Sequence, residues 1–455
     1  MQIRNQVSAQ HKFYQSGKTK DIAFRIKQLK KLKRSIEKNE QIIIKSLQDD
    51  LGKPKLEAYA TEVGFVLREL NLFINNIKRW AKPKRVRDNI INFPSQNYIL
   101  HDPYGLMLII SPWNYPFQLC ISPLAGAISA GNCVSLKPSE IAPHTSSVIT
   151  KIISETFNPN YVSVFEGDAT VSQELLNQRF DYIFFTGSNK VAKIVMSSAA
   201  KKLIPVTLEL GGKSPCIVDE TADVGLAAKR ISWGKFINAG QTCIAPDYIL
   251  VHSSVKDKLI NSLKQSIINL YGENIKSCED YTRIVNKHHF KRLLTLMDNK
   301  KIIFGGNVDE NSLFIEPTLM NEVSWNDKIM QEEIFGPILP IIEYHNLEEE
   351  VNKINVREKS LALYLFTKNK QTEKFILNSC SFGGGCINDT ISHIANSNLP
   401  FGGIGNSGMG CYRGKYSFET FSHKKSILKK ASWIDVPLRY APYKGKLKWI
   451  KKLLK

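Results

Sequence analysis

A chain of 455 residues is longer than a single hydrophobic core usually supports, so we expect two or three packed domains. Its 43% hydrophobic content is that of a globular protein, and no run of 18 apolar residues predicts a transmembrane helix. The first residues lack the apolar core of a secretory signal, which favours the cytoplasm.

The net charge of +20 is concentrated near the ends of the chain. Residues 424–455 hold eleven Lys or Arg and a single acid, Asp435, a net charge of +10. Such a balance is found in proteins that bind nucleic acid or an anionic membrane, but a solvated lysine-rich surface is the more common case. We expect no nucleic-acid partner.

The eight cysteines include no Cys-x-x-Cys pair, and no His cluster has the spacing of zinc ligands. The sequence therefore predicts no metal site. Most of these thiols are expected to be reduced and buried, as is usual in a cytosolic protein.

Apolar residues recur at three- and four-residue spacing through the first 80 residues, which predicts helices, two of them at 39–51 and 56–80. Pro83 and its charged neighbours end this pattern. From residue 105 to 210, short apolar runs alternate with helical segments, which indicates a parallel sheet covered by helices on both faces. The predicted strands of this sheet are 106–110, 133–137, 161–165, 182–185 and 206–210.

The second half of the chain, from about residue 211, has the same mixed character and predicts a second α/β domain. A glycine-rich stretch at 401–408 is predicted to form a loop, and a basic segment follows it. The candidate strands of this half are 217–218, 248–251, 338–342 and 361–366.

Five short motifs stand at strand ends or in tight turns, where a parallel sheet binds its ligands. Each motif alone is a weak signal, and the G-x-G-x-x-G fingerprint of dinucleotide enzymes is missing at these strand ends. The helix that Ser188 opens has N-terminal amides that can receive an anionic phosphate. The motifs are 111–117 around Asn114, 137–140, 185–188, 209–213 and 238–243.

Taken in order, these motifs resemble those of the aldehyde dehydrogenases, and most of all the class 3 branch of that family. The two motifs that hold Glu209 and Cys243, 34 positions apart, are highly specific together. The stretches 331–337 and 399–403 are also characteristic of the family. The resemblance runs from about residue 10 to residue 425, nearly the whole chain.

The resemblance implies that Cys243 is the nucleophile, which adds to an aldehyde to form a thiohemiacetal whose oxyanion can expel hydride. The side-chain amide of Asn114 and the backbone N–H of Cys243 would stabilise that oxyanion. Hydride transfer leaves a thioester, and Glu209 would activate the water that hydrolyses it to a carboxylic acid. The alternative role for Glu209 is an ion pair with a nearby lysine.

The resemblance also implies an NAD(P) site. Glu140 would repel a 2′-phosphate, which favours NAD, although class 3 relatives can use NADP. Ala192 stands where the family often has glycine, a small departure that weakens the phosphate site only slightly. The implied contacts are Lys137 and Glu140 on the adenosine ribose, Ser188 after Gly187 on the pyrophosphate, Glu333 on the nicotinamide ribose and Phe335 near the nicotinamide.

The expected fold class is α/β: a Rossmann-type cofactor domain, an α/β catalytic domain and a small bridging extension that would suit a homodimer by analogy with class 3 relatives. The expected boundaries are 1–82 and 106–210 for the cofactor domain, 211–411 for the catalytic domain, 83–105 and 412–440 for the bridging extension, and 441–455 for a basic amphipathic tail.

The tail carries a separate pattern, in which lysines surround one apolar helical face formed by Leu447, Ile450, Leu453 and Leu454. A basic amphipathic helix of this kind is typical of peripheral membrane contact. The alternatives are a helix packed over the active-site mouth and a solvated end. Membrane contact would favour medium- or long-chain aliphatic aldehydes as substrates, with aromatic aldehydes the other expectation.

Two other functions stay open. A CoA-acylating aldehyde dehydrogenase would pass the acyl group to a thiol instead of water, but Glu209 favours hydrolysis. A non-catalytic basic protein that binds a surface is the other, and the full set of candidate site residues argues against it. Candidates to line the substrate path are Tyr59, Tyr115, Ile391 and His393.

Overall fold

A computed structural model describes residues 2–88 and 92–454 of the chain. Met1 belongs to the predicted cofactor domain, residues 89–91 to the predicted bridging extension, and Lys455 to the predicted tail. These five residues lie outside the described part of the chain.

Helices fill the first 80 residues, which confirms the prediction from their apolar spacing. Asp21 begins the second helix, because its carboxylate accepts hydrogen bonds from the backbone N–H groups of Ala23 and Phe24. Gly52 ends the third helix with a φ of 62°. The α-helices here are Gln2–Gln15, Ile22–Lys38, Glu40–Leu51, Lys55–Ala58 and Gly64–Trp80, with a π-helical turn at Tyr59–Val63.

The predicted parallel sheet is present, and its central strands are buried along their whole length because helices cover them. Its strands lie in the order Gly408–Met409, Val206–Glu209, Tyr182–Thr186, Leu106–Ile110, Cys133–Lys137 and Val162–Val164. The α-helices that follow its strands are Gln118–Ala130, Pro143–Thr156, Ala169–Asn177 and Asn189–Ala200.

The bounds of two strands and the presence of one further strand differ from the prediction for this sheet. The third strand is shorter, Val162–Val164 instead of 161–165, and the fifth ends at Glu209. The strand Gly408–Met409 pairs antiparallel with Val206–Glu209 and includes the last residue of the stretch that was expected to be a loop. Local pattern gave no signal for this strand, because it is two residues long and its partner is distant in sequence.

The second α/β unit is also present, and all four of its candidate strands lie in one sheet. This sheet is parallel except for the pair Ile302–Phe304 and Thr318–Met320. Its order is Ile302–Phe304, Thr318–Met320, Ile338–Tyr344, Tyr248–His252, Pro215–Val218, Ala362–Phe366 and Gly384–Ile387. Its α-helices are Val224–Phe236, Lys256–Tyr271, Lys287–Leu294, Leu347–Asn355 and Lys370–Ser379, and a small ladder joins Val308–Asp309 to Phe314–Ile315.

A third, antiparallel sheet contains Lys84–Val86, Ser95–Pro103 and Ser422–Lys430, the last two paired over nine residues. Its strands come from the two segments assigned to the bridging extension, whose exact boundaries stay a prediction. Helices Lys415–Thr420 and Leu447–Leu453 flank the third strand in sequence. Short 3-10 helices are Lys18–Lys20, Ile237–Gly240, Ser253–Val255, Ile275–Ser277, Lys328–Met330, Ser392–Ala395, Gly405–Ser407 and Pro437–Arg439.

The connection between the two large sheets is short. The chain leaves the first sheet at Glu209 and enters the second at Pro215. Gly212 has a φ of 135°, and a Cβ there would lie 3.2 Å from the Cα of Ser360, so the turn requires glycine. The carboxyl edge of the first sheet is thus where the two sheets meet.

Candidate active site

A cavity of about 430 Å³ lies at this edge and brings together most of the predicted site residues. Lys137 and Glu140 lie outside it, at the end of the neighbouring strand. The predicted residues that line it are Asn114, Gly187, Ser188, Glu209, Cys243, Glu333 and Phe335.

The Cys243 thiol is partly exposed to this cavity and is not disulfide-bonded. Burial raises the pKa of Cys243 well above its usual value, and the negative charge of Glu209 raises it further. The thiol is therefore protonated at neutral pH, so attack on a carbonyl requires a nearby group that accepts its proton.

The loop that precedes the thiol has a strained backbone. Asn238 and Ala239 have φ of 53° and 51°, a left-handed conformation that costs free energy for alanine. The buried Gln241 holds this loop, since its Nε2 donates to the carbonyls of Asn238 and Arg283, both at 3.0 Å. Its Oε1 accepts from the N–H of Val285, also at 3.0 Å. The glutamine of the Gly-Gln-Thr-Cys motif thus fixes where the thiol lies.

Glu209 ends the strand Val206–Glu209 and is 1% exposed. Within the described chain, neither of its carboxylate oxygens accepts a well-formed hydrogen bond, although the Cys243 thiol and the Thr186 hydroxyl lie near enough to lower its pKa in part. Burial raises the pKa of Glu209 to about 7. A carboxylate that is unpaired and half ionised near neutral pH has the properties of a general base.

Asn114 is held on both sides by the loop of the nucleophile. Its side-chain Nδ2 donates to the carbonyl of Gln241 at 3.0 Å, and its own carbonyl accepts from Nδ2 of Asn238 at 2.9 Å. The next residue, Tyr115, shares a hydrogen bond of 2.8 Å with the Thr242 hydroxyl. These contacts fix the amide of Asn114 at the cavity that contains Cys243.

Gly187 and Ser188 lie where the predicted helix begins. The Ser188 hydroxyl caps the helix Asn189–Ala200 by accepting from the N–H of Val191 at 3.5 Å. Ala192 is 2% exposed and points into the protein. Its methyl group therefore packs in the interior, away from the helix end that a phosphate would approach.

Lys137 and Glu140 form an ion pair at the end of the strand Cys133–Lys137. The Nζ of Lys137 donates to a Glu140 oxygen and to the Pro138 carbonyl, both at 2.9 Å. The Lys137 side chain is 2% exposed and that of Glu140 is 44% exposed. The carboxylate is therefore the member of the pair that solvent or a ligand can reach.

Glu333 and Phe335 also line the cavity and form one side of it. A Cβ on Gly211 would lie 2.3 Å from a Glu333 oxygen, so this carboxylate packs directly against the glycine. Burial raises the pKa of Glu333 to about 8. The ring of Phe335 lies edge-on to Trp113 at 5.4 Å, and Trp113 lies 4.8 Å from His289, which gives this side an aromatic wall.

Several residues of the site were not predicted, among them Trp113, which lies in the motif 111–117 but was given no role. Trp113, His289 and Arg292 line the cavity, the last two from an amphipathic helix without a distinguishing pattern. Lys53 and Glu62 lie behind the Asn114 loop as a fully buried ion pair. Charged residues in a helical region are expected on the solvated face, so only the three-dimensional structure shows this pair.

The candidates for the substrate path lie in different places. Tyr115 contacts Thr242 beside the nucleophile, whereas Tyr59 is exposed on the π-helical turn. Ile391 is buried, and His393 lies against Gly384 and Cys386 in the second sheet. Their role in substrate binding stays a prediction.

Comparison with known proteins gives matches along the whole chain. A model of the aldehyde dehydrogenase family matches residues 1–427. The chain is 51% identical over 445 residues to the 4,4'-diaponeurosporen-aldehyde dehydrogenase of Staphylococcus aureus, with 97% of each protein covered. It is 46% identical over 429 residues to the Rattus norvegicus protein named aldehyde dehydrogenase, dimeric NADP-preferring, covering 94% of this chain and 95% of the relative.

A solved structure described as the substrate-bound state of Staphylococcus aureus AldH superposes with a TM-score of 0.98 at 50% identity, covering 100% of this chain and 99% of that one. This match confirms the expected fold class. The chain belongs to the aldehyde dehydrogenase family, as its motifs predicted, and the reaction of that family is the NAD(P)-dependent oxidation of aldehydes.

Proposed function

We propose that this aldehyde dehydrogenase forms a thiohemiacetal and then a thioester on Cys243, and that water activated by Glu209 hydrolyses the thioester to a carboxylic acid. The observation that carries this proposal is a thiol and an unpaired, buried carboxylate of pKa about 7 in one cavity. Such a pair supplies a nucleophile and a base for two successive steps.

The first step forms the bond between the Cys243 sulfur and the carbonyl carbon. Two nearby carboxylates, Glu209 with a pKa of about 7 and Glu333 with a pKa of about 8, can accept the thiol proton. The carbonyl electrons move to oxygen, and the Asn114 amide with the backbone N–H of Cys243 stabilises the charge there. Because buried hydrogen bonds already hold Asn114, its amide needs no reorganisation when the charge develops.

The residues around the cavity fit a dinucleotide cofactor. A Cβ on Gly187 would lie 2.7 Å from the Phe185 ring, so glycine keeps the chain close to the sheet just before a helix N-terminus suited to phosphate. Lys137 and Glu140 would hold the adenosine ribose, Glu333 the nicotinamide ribose, and Phe335 would pack near the nicotinamide. When bound, the cofactor supplies the hydride acceptor.

We also propose that NAD is preferred to NADP. Glu140 is paired with Lys137, yet its carboxylate is the exposed member of that pair. A carboxylate accepts hydrogen bonds from free ribose hydroxyls and repels a 2′-phosphate. The preference would show as a higher kcat/KM for NAD than for NADP, and the reverse order would contradict it.

The second step requires a water molecule to attack the thioester. Glu209 removes the water proton, the carbon–sulfur bond breaks, and the Cys243 thiolate leaves and is protonated again. Transfer of the acyl group to CoA would not need an activated water, and the comparisons do not support that alternative. The unpaired Glu209 carboxylate therefore favours hydrolysis.

For the substrate, we propose an apolar aldehyde. Apart from Phe335, which is assigned to the nicotinamide, part of the cavity wall is apolar or aromatic, formed by Pro112, Trp113, Leu119 and Leu210. The Staphylococcus aureus relative is named for 4,4'-diaponeurosporen-aldehyde. Rates of NADH formation that rise along a series of straight-chain aldehydes would support this choice, and activity on short aldehydes alone would contradict it.

We propose a homodimer formed through the three-stranded sheet. Ser422–Lys430 lies at an edge of this sheet, and the Rattus norvegicus relative is named as dimeric. A sedimentation-equilibrium mass of twice the chain's 51.5 kDa would support the dimer, and a mass equal to one chain would contradict it. The eight free cysteines favour a reducing compartment, and we propose the cytoplasm.

The tail supports a proposal of peripheral membrane contact. The helix Leu447–Leu453 has no buried residue, and Leu447, Trp449 and Leu454 are each more than 60% exposed, which argues against packing over the active site. Apolar side chains among lysines suit an anionic bilayer surface. Across residues 2–88 and 92–454, no helix is long and apolar enough to cross a bilayer.

The nucleophile can be tested with Cys243→Ala. We expect no NADH formation from any aldehyde, because no thioester can form, while binding of NAD measured by calorimetry stays as in the wild type. Cys278→Ala, which removes another partly exposed thiol, is the matched control and should keep its activity. Turnover by the Cys243 variant would contradict the covalent mechanism.

The base can be tested through its pH dependence. A carboxylate acts as a base only when ionised, so wild-type kcat should fall as the pH drops through about 7, the raised pKa of Glu209. In Glu209→Gln, we expect kcat to fall by at least about 100-fold, and we expect this acid limb of the pH profile to be lost. The first burst of NADH should remain, because Glu333 can still accept the thiol proton.

Stopped-flow absorbance of NADH and steady-state rates across pH measure these two effects separately. Glu343→Gln, a carboxylate variant remote from the cavity, should keep the wild-type profile. Loss of the burst together with turnover would contradict the proposal that Glu333 can replace Glu209 as the acceptor of the thiol proton before hydride transfer.

The tail can be tested by sedimentation with vesicles. Reversing three charges in Lys448→Glu, Lys451→Glu and Lys452→Glu should abolish binding to phosphatidylglycerol vesicles, since the attraction comes from the basic face. The matched control reverses three exposed lysines of the second helix, Lys27, Lys30 and Lys31. Equal binding by both triple variants, or by a chain that lacks residues 440–455, would contradict the proposal.

A further inference from the structure

A buried group of charges lies behind the proposed oxyanion site, and no step of the mechanism uses it. The Nζ of Lys53 lies 2.7 Å from Oε1 of Glu62, and both side chains are completely buried. A buried ion pair is a poor source of stability, because the cost of removing two charges from water offsets most of their attraction. Its presence beside the site calls for another role.

Glu62 uses its second oxygen to hold the loop that carries Asn114. This oxygen accepts hydrogen bonds from the backbone N–H groups of Phe117 and Gln118, at 3.0 and 2.9 Å. These are among the N–H groups that a helix leaves unpaired at its start, and no side chain at Phe117 caps the helix Gln118–Ala130. Glu62 therefore fixes the end of the Asn114 loop.

Lys53 contacts the same loop on its other side. Its Nζ donates to the carbonyl of Asn114 at 3.4 Å and lies 4.2 Å from the centre of the Tyr115 ring. The Asn114 carbonyl also accepts from Asn238, so two donors hold it while its side-chain amide is bound elsewhere. The Lys53 ammonium group thus restricts both the backbone of Asn114 and the ring of the next residue, Tyr115.

Glu57 extends the group to the loop of the nucleophile. Its carboxylate accepts from the backbone N–H of Asn238 at 3.0 Å. Glu57 lies in the helix Lys55–Ala58 and Glu62 lies five residues later in the π-helical turn Tyr59–Val63, whose i to i+5 period places the two on one face. One helical face therefore holds the Asn114 loop through Glu62 and the Cys243 loop through Glu57.

We propose that Lys53, Glu57 and Glu62 are positioning residues that set the Asn114 amide against the Cys243 loop. This inference rests on the proposed role of Asn114 as an oxyanion donor. None of the three touches the reacting atoms. Their effect is to fix the relative position of two loops that belong to different sheets, so that the donor is in place before the charge develops.

The test uses Lys53→Met and Glu62→Gln, with Lys53→Arg as the conservative variant. Removing an oxyanion donor lowers kcat by about 100- to 1,000-fold, and a displaced donor should cost a large part of that factor. We expect kcat and the NADH burst rate to fall at least about 30-fold in Lys53→Met and Glu62→Gln, with the KM for NAD within about 2-fold of wild type. Lys53→Arg keeps the charge and should recover most of the activity.

The decisive readout is a double-mutant cycle with Asn114→Ala. If Lys53 acts through Asn114, adding Lys53→Met to Asn114→Ala should change the burst rate by less than about 3-fold. A merely structural role would instead lower the rate by the same factor in both backgrounds, and that result would overturn the proposal. Lys256→Met, which breaks a remote ion pair with Glu343, is the matched control.

The outcomes separate this inference from the function on which it rests. A normal burst in Asn114→Ala would contradict the oxyanion role of Asn114, and this inference with it. Loss of the NADH burst in Asn114→Ala, with normal burst rates in Lys53→Met and Glu62→Gln, would overturn the positioning role alone. If Lys53→Met does not fold by circular dichroism, the same cycle with Glu62→Gln decides the question.

Discussion

Reciprocal hydrogen bonds between Asn114 and the loop before Cys243 are the contact on which this site depends. The Asn114 amide donates to the Gln241 carbonyl, while its own carbonyl accepts from Asn238. The two loops connect to different sheets, so these bonds fix the position of the Asn114 donor relative to the Cys243 nucleophile. The strained backbone at Asn238 and Ala239 persists because buried hydrogen bonds fix it.

Desolvation gives this cavity its chemistry. Burial raises the pKa values of Glu209 and Glu333 to about 7 and about 8 and that of Cys243 further above its usual value. Each group is thus held close to or in its neutral form in a site where water would otherwise stabilise its charge. A thiol of raised pKa is a poor resting nucleophile, but two bases poised near neutral pH can activate it as the substrate arrives.

The parallel strands and most of the candidate site were predictable from the sequence, because they depend on local pattern. Continuous apolar runs gave the strands, and the rule that ligands bind at strand ends located Asn114 and Glu209 before any family was named. The short strand Gly408–Met409 and the pair Lys53–Glu62 could not be found this way. The pairing of this strand and the burial of this ion pair both depend on contacts with residues distant in sequence, and two charges in a helical segment give no sign that they are buried.

The central claim is that the acyl group is carried on Cys243 and released by Glu209. It is tested most directly by rapid-quench mass spectrometry of Glu209→Gln mixed with NAD and an aldehyde. The account predicts that one acyl group accumulates on the peptide that contains Cys243, in step with the NADH formed. A burst of NADH without any acyl adduct on that cysteine would contradict it.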